Sequence, residues 1–305
     1  MILCCGEALI DMLPRETAAG ERAFAPYAGG AVFNTAIALG RLGAPTAFFS
    51  GLSSDLFGDI LRDTLAASRV DSTPAHISAR PTTLAFVTLT DGQASYAFYD
   101  ENTAGRMLTE ADLPDVAPDA AFFGGISLVA EPCGAAYEAL QSRLAESAVT
   151  MIDPNIRPGF ITDEPAYRAR IARMMARADI VKLSDEDLHW LEGAGDTGDL
   201  ARAILKTGPS LVLITRGADG ATAYRSGEDE VSVAAPAVTV ADTVGAGDTF
   251  NAGVLAALHE AGALTKDALK ALSDEALRAA LSLGVRSAAV TVSRAGANPP
   301  WAREL

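Results

Sequence analysis

From about residue 120 onward, short runs that are apolar throughout alternate with longer stretches whose apolar residues recur at helical spacing. The runs "AAFFGGISLV" (120–129), "VTMID" (149–153), "DIVKL" (179–183) and "SLVLIT" (210–215) have the length and composition of strands buried on both faces. Between them, "CGAAYEALQSRLAESA", "EPAYRARIARMMARA" and "DEDLHWLEGAG" followed by "DLARAILKTG" have the length and spacing of crossover helices. The order βαβα predicts an α/β fold with a mostly parallel sheet. Such a sheet takes its ligands beyond the carboxyl ends of its strands. Those ends are polar here: Asp153 and Asn155, then Lys182 and Ser184, then Thr215 and Arg216.

One segment breaks the alternation. "TTLAFVTLTDGQASYAFYD" reads as two strands joined by Asp91-Gly92, a dipeptide suited to the positive φ angles of a tight hairpin turn. Together with the polar, turn-rich stretch from Asp11 to Tyr27, this hairpin is expected to form a small sheet over the site, a lid. No linker, low-complexity tract or internal repeat divides the chain.

Composition narrows the function classes. Of 305 residues, 49% are apolar and 21% charged, and no run reaches the roughly 18 to 20 apolar residues of a membrane span. The opening "MILCCGEALIDML" lacks the basic leader and cleavage site of a signal peptide, so a cytoplasmic protein is expected. A net charge of −15 opposes nucleic-acid and anionic-membrane partners. Any phosphate site must therefore be built locally. The cysteines Cys4, Cys5 and Cys133 form neither a disulfide framework nor a Cys-rich zinc site and read as buried apolar thiols.

The glycines locate that site. "GAGDTG" (193–198) matches G-x-G-x-x-G but follows a helical pattern, so it reads as a helix-helix loop without the strand a dinucleotide fingerprint requires. There is no Walker A loop. "DTVGAGDTF" (242–250), in contrast, runs into "NAGVLAALHEAG", where Phe250, Val254 and Leu258 recur every fourth residue and Gly262 can stop the helix. The free N–H groups of that helix start, from about Gly245 to Asp248, favour an anion, and Gly245 and Gly247 let the backbone approach it. A capping role would explain Asp248 but leaves the glycines unexplained. If the anion is a phosphoryl group in transit, Asp248 is placed to take the proton of the attacking hydroxyl, kept ionised by the helix end.

These residues carry a resemblance. "DTVGAGDTF" resembles the second signature of the ribokinase/PfkB family of ATP-dependent sugar kinases, and "GGAVFNTAIALGRLG" (29–43) resembles its first. The resemblance extends over essentially the whole chain, including "GEALIDMLP" and "TRGADGA". It implies one ribokinase-like domain over residues 1–305, a three-layer core with lid segments at roughly 11–27 and 80–103. It also implies Asp248 as catalytic base, with Gly245, Ala246 and Gly247 as an anion hole and Arg157 near the transferred phosphate. Asp11, Gly29, Gly30, Asn34 and Phe98 would meet the sugar. Lys182, Ser184, Thr215, Gly217, Gly220 and Asn298 would meet ATP. Asp11 is read as ending a strand; Gly29 and Gly30 as opening a helix with Val32, Ala36 and Leu39 toward the core.

The family's N-x-x-E motif, which organises water around Mg²⁺, appears here as Ser184-Asp185-Glu186-Asp187, so that Asp187 is a shortened Mg²⁺ candidate and Mg²⁺ carried by ATP the safer expectation. The resemblance further implies a K⁺-type site from Asp242, Val244, Thr291, Arg294 and Gly296, partly through backbone carbonyls; the alternative for Asp242 is a structural turn. Asp100-Glu101, standing where an arginine often follows the aromatic pair, favours a neutral sugar, D-fructose, over ketodeoxygluconate, ribose or a nucleoside, unless Arg15, Arg22, Arg106 or Arg157 supplies a carboxylate clamp. A non-catalytic sugar- or nucleotide-binding regulator would keep the pockets without needing Asp248. An exposed lid edge offers a route to a homodimer.

Overall fold

The computed structural model describes residues 1–90, 93–227 and 229–305. The apolar opening run forms β1 (Ile2–Cys5), and the chain then leaves the core through β2 (Leu9–Glu16) and β3 (Arg22–Gly29) before returning as α1 (Ala31–Leu42). There follow β4 (Thr46–Phe49), β5 (Gly51–Ser53), α2 (Leu56–Ala67), β6 (Val70–Asp71), β7 (His76–Ser78), and the paired β8 (Leu84–Thr90) and β9 (Gln93–Tyr99). The alternating half comprises β10 (Ala120–Gly124), α3 (Cys133–Leu144), β11 (Val149–Asp153), α4 (Glu164–Arg177), β12 (Ile180–Ser184), α5 (Asp185–Glu192), α6 (Thr197–Leu205) and β13 (Leu211–Thr215). It closes with β14 (Ala221–Tyr224), β15 (Val231–Val233), α7 (Ala246–Glu260), α8 (Lys266–Lys270) and α9 (Asp274–Val292).

Among the described residues the main sheet has the order β15-β14-β13-β12-β11-β10-β1-β4-β6, parallel except at β14 and β15. Side chains alternate across it. Ile2, Cys4, Phe48, Phe122 and Met151 point into one apolar layer with α1, α7 and α9, while Leu3, Cys5, Phe49, Phe123 and Ile152 point into the other with α3, α4 and α6. This is a helix-sheet-helix sandwich, with both faces of the parallel strands dry. All three cysteines are buried thiols, as expected. On the first layer α7 and α9 meet closely: a Cβ on Gly253 would lie 2.7 Å from Gly284 Cα.

A second, four-stranded sheet has the order β3-β2-β8-β9. It joins the two segments expected to pair, although the Asp91-Gly92 turn lies outside the described residues. The stretch from Asp11 to Tyr27 is more regular than its polar composition suggested. Asp11 does not end a strand; it is the third residue of β2, which runs on to Glu16 opposite β3. Pro14 is tolerated there because β8 pairs with β2 only over Ile10–Met12. Asp11 pairs with Ala85, and Ala85 with Phe98, so Asp11 and Phe98 share one face. The opposite face carries Phe24, Phe86 and Tyr99, with ring centroids 5.0 and 5.6 Å apart in succession. Phe24 is 42% and Tyr99 61% exposed.

Candidate active site

Helix α7 begins at the carboxyl edge of the parallel strands. Its N-cap is Gly245, held left-handed at φ 79°, where a Cβ would come 2.8 Å from the Ala297 Cβ. The Gly247 and Asp248 N–H groups lie in the first turn, without intrahelical acceptors. Asp248 does not cap its own helix. Its Oδ2 accepts a hydrogen bond from Asn34 Nδ2 at 2.9 Å, and its carbonyl accepts one from Thr35 Oγ1 at 3.2 Å. Asn34 and Thr35 lie in the first turns of α1, whose N-cap is Gly30, and Val32, Ala36 and Leu39 are buried as expected. The two signature segments, about two hundred residues apart in sequence, are thus stitched together at the acid.

Asp248 is 7% exposed. Burial pushes its carboxyl up to about 7; the Asn34 hydrogen bond and the Lys182 charge oppose this, while Asp153 and Glu7 add to it. The helix end was expected to favour the ionised form of this acid near neutral pH. Desolvation outweighs it.

Behind the helix start lies a buried ion pair. Lys182 Nζ donates to Asp153 Oδ2 at 2.9 Å, and Asn251 Nδ2 donates to the same oxygen at 2.7 Å. A Cβ on Gly247 would be 3.2 Å from Lys182 Nζ, so the glycine leaves the ammonium close to the first turn. The remaining Asp153 oxygen accepts the Asn155 N–H at 3.2 Å, which leaves no buried charge of this pair unanswered.

The small sheet covers this region from one side. A Cβ on Gly29 would fall 2.3 Å from Asp11 Oδ2, so Gly29 makes room for that carboxylate beside Gly30. Burial raises Asp11 to about 6. Phe98, on the same face, packs its ring 5.1 Å from Phe160. Phe160 belongs to the loop after β11 that carries Arg157, and its N–H donates to the Arg157 carbonyl at 2.9 Å. Arg157 itself is exposed and donates to the Ile156 carbonyl.

A cleft of about 570 Å³ opens from Gly247 along the other side of α7, lined by Thr215, Gly217, Gly220, Ala235, Val240 and Val292 among others. Its walls are mainly apolar and slot-like, with the glycine turn after β13 at one end. Thr215, Gly217, Gly220 and Gly247 come together here as anticipated. Ser184 and Asn298 do not line the cleft. Ser184 caps α5 by accepting the Asp187 N–H at 3.0 Å, and Asn298 Oδ1 accepts from Arg41 at 2.9 Å. Asp187 is buried and its Oδ1 accepts the Ile156 N–H at 3.1 Å, bracing the Arg157 loop. Burial, then the Asp153 charge, raises its carboxyl. Among the described residues no group of three acidic, His or Cys side chains gathers to hold a metal.

The loop before α7 closes on its own bonds. Asp242 Oδ1 accepts the Val244 N–H at 3.0 Å and Oδ2 accepts the Gly296 N–H at 2.9 Å, the structural turn named as the alternative to a cation ligand. Thr291 donates from Oγ1 to Thr249 Oγ1 at 3.0 Å, and Arg294 pairs with Glu304 at 2.6 Å. Sequence reading passed over two residues of the site, Asn251 and Glu7. Asn251 was legible as one turn beyond Asp248 on the same helix; Glu7 was legible as one of only two acids, with Asp11, in an otherwise mostly apolar opening run.

The chain matches the model of the pfkB family of carbohydrate kinases over residues 1–303 and belongs to that family. It is 60% identical over 280 residues to a fructokinase of Rhizobium leguminosarum bv. trifolii, covering 91% of this chain and 86% of the relative. The crystal structure of fructokinase with bound ATP from Xylella fastidiosa superposes with a TM-score of 0.89 at 30% identity, covering 97% of this chain and 93% of that one. A double mutant of fructokinase from Vibrio cholerae O395, crystallised in a fructose, ADP and potassium ion bound form, gives 0.85 at 26% identity over 97% and 93% of the two chains.

The raised acid has a cost in the ligand-free protein. Asp248 binds its proton more tightly folded, at about 7, than unfolded, near 3.8. Its stabilising contribution is complete below the unfolded value and is lost as pH rises through 7, with a slope of at most about 1.4 kcal/mol per pH unit. Asp248→Asn should therefore gain stability over the wild type by pH 8 and lose that gain by pH 4. Urea denaturation of both proteins across this range measures it; a pH-independent difference would remove the desolvation account.

Proposed function

We propose that this carbohydrate kinase transfers the γ-phosphoryl group of ATP to the primary hydroxyl of a neutral sugar, D-fructose, giving fructose 6-phosphate. The observation that carries the reading is the position of Asp248. It is buried in the first turn of α7, bonded to Asn34 Nδ2 at 2.9 Å, and directly follows Gly247, which lines the apolar cleft.

The chemistry follows from the groups present. The hydroxyl donates its proton to Asp248 as its oxygen forms a bond to the γ-phosphorus, and the bond to the β-phosphate bridging oxygen breaks to release ADP. The Gly247 and Asp248 N–H groups and the nearby Lys182 ammonium stabilise charge on the phosphoryl oxygens. Arg157, exposed on the loop beside the small sheet, adds a cation from the opposite side. Mg²⁺ travels with the ATP phosphates and offsets their charge. Under the small sheet, Asp11 accepts sugar hydroxyls and Phe98 covers the ring. We assign the sheet as a lid, within a single domain that spans the chain; its contact with the Arg157 loop through Phe98 and Phe160 supports this reading.

The preference for a neutral sugar rests on the charges that surround the pocket. Asp100 is not a solvated lid charge: it accepts from Thr83 Oγ1 at 2.8 Å and Thr103 Oγ1 at 3.0 Å, and lines a small cavity with Glu7. Glu101 is exposed. Two of the arginines that could clamp a sugar acid are otherwise engaged: Arg15 donates to Tyr27, and Arg106 lies 3.8 Å from Asp100 and donates to the Glu131 carbonyl. Carboxylates at Glu7, Asp11, Asp100 and Asp248 disfavour an anionic substrate and suit hydroxyl donors. The exposed aromatic face of the lid, with Phe24 and Tyr99, supports a homodimer through this sheet; sedimentation of a Phe24→Ser, Tyr99→Ser variant as monomer against a dimeric wild type checks it.

One set of kinase assays tests the reading. Asp248→Asn should lower kcat by roughly 10² to 10⁴-fold while still binding ATP, and a folded, fully active Asn variant would refute the base. In the wild type, kcat/KM should fall with acid below about pH 7 as Asp248 takes up its proton, and more steeply below about 6 as Asp11 follows. A limb near pH 4 would be inconsistent with the buried base. Between sugars, kcat/KM for D-fructose should exceed that for ketodeoxygluconate by at least about tenfold, or about 1.4 kcal/mol; the reverse order would overturn the substrate and leave the kinase standing. A K⁺ bound beside the Asp242 turn should raise the rate over a bulky organic cation at equal ionic strength, and equal rates would exclude it.

A further inference from the structure

Glu7 lies between β1 and β2, off the path of the proposed chemistry, yet the backbone is shaped around it. Its Oε1 accepts the Ala31 N–H at 2.8 Å and its Oε2 accepts the Ser127 N–H at 3.3 Å. Two glycines of positive φ leave the space: a Cβ on Gly30, at φ 111°, would lie 2.8 Å from the Glu7 carbonyl oxygen, and one on Gly125, at φ 70°, would lie 2.2 Å from Glu7 Oε1. Ala31 opens α1, and the next turn of that helix carries Asn34, whose side chain holds the Asp248 carboxylate.

We propose that Glu7 is a positioning residue that clamps the start of α1 to the loop after β10, and through Asn34 fixes the Asp248 carboxylate in line with the sugar hydroxyl. The clamp needs both oxygens as acceptors, a requirement a carboxylate meets and an amide does not. It is also electrostatic. Asp248 is faced by Asn34, Asp153, Lys182 and Glu7, and Glu7 is one of the two negative groups that oppose ionisation of Asp248. Glu7 in turn faces Asp100 and Arg106 across the small cavity. Burial raises its own carboxyl and the backbone donors lower it again.

The inference rests on Asp248 as base, so its test has one arm that does not. Glu7→Gln keeps the shape but turns an amide N–H₂ toward one of the two N–H donors. Hydrogen exchange resolved to single amides should then speed at Ala31 or Ser127 by at least about tenfold, because a lost bond opens locally. Unchanged protection at both amides overturns the clamp, whatever Asp248 does. In the kinetic arm, Glu7→Gln should lower kcat by about tenfold to a hundredfold at unchanged KM for ATP, since misplacement by about an ångström has effects of that size. Its acid limb should move to lower pH as the opposing charge is removed. Glu7→Asp keeps the charge and loses the reach, so kcat should fall while the limb stays. A limb that moves in neither variant, or in both, overturns the electrostatic part. Activity retained by Asp248→Asn would sink the base reading alone, and the exchange result would still decide the clamp.

Discussion

The structure turns on a carboxylate buried at the positive end of a helix. Two physical effects compete at Asp248: the N-terminal turn of α7 favours the charged form, and exclusion of water disfavours it. Burial wins, and the carboxyl is held at about 7, where a solvent-exposed cap of the same residue type would be ionised. What makes the burial tolerable is that every neighbour is itself bonded. Asn34 supplies a donor, while the Asp153 charge is answered by Lys182 and Asn251.

That constraint organises the elements around it. Helix α7 must reach the sheet edge with its first turn open, which places glycine at the N-cap and leaves no side chain between Lys182 and the first turn. Helix α1 must start at the same point, so its entry is also a glycine of positive φ. The small sheet then brings Asp11 over Gly29, and the loop after β11 comes up to meet Phe98. Glycines at these positions remove Cβ atoms that would crowd the Asp11 carboxylate, the Glu7 carbonyl oxygen, the Ala297 methyl and the Lys182 ammonium. Their role is local geometry, with the flexibility of the chain a secondary matter.

The acidic character of the chain acquires a meaning at this scale. With a net charge of −15, the long-range field repels the polyphosphate that the cleft must hold. The protein answers with short-range donors: backbone N–H groups of a helix start and one buried lysine neutralised by its own aspartate. The same surplus of carboxylates, at Glu7, Asp11 and Asp100, presents acceptors suited to hydroxyl groups.

Much of this was written in the chain itself. Apolar runs of strand length separated by helical spacing required a parallel sheet, because only strands dry on both faces lack alternation. The glycines at the starts of α1 and α7 marked helix entries, because Gly30 and Gly245 take a positive φ that other residues rarely adopt. Other assignments depended on partners distant in sequence. Asp187 braces the Arg157 loop through Ile156 and Asn298 answers Arg41, because a polar side chain takes whichever partner the fold brings within 3 Å or so. Asp11 was misplaced at a strand end since its pairing with β3 and β8 is a matter of register between segments far apart. The protonation of Asp248 was beyond sequence for the same reason: local spacing fixes the helix end that favours charge, while the water excluded by α1, β11 and β12 is decided only when those elements pack together.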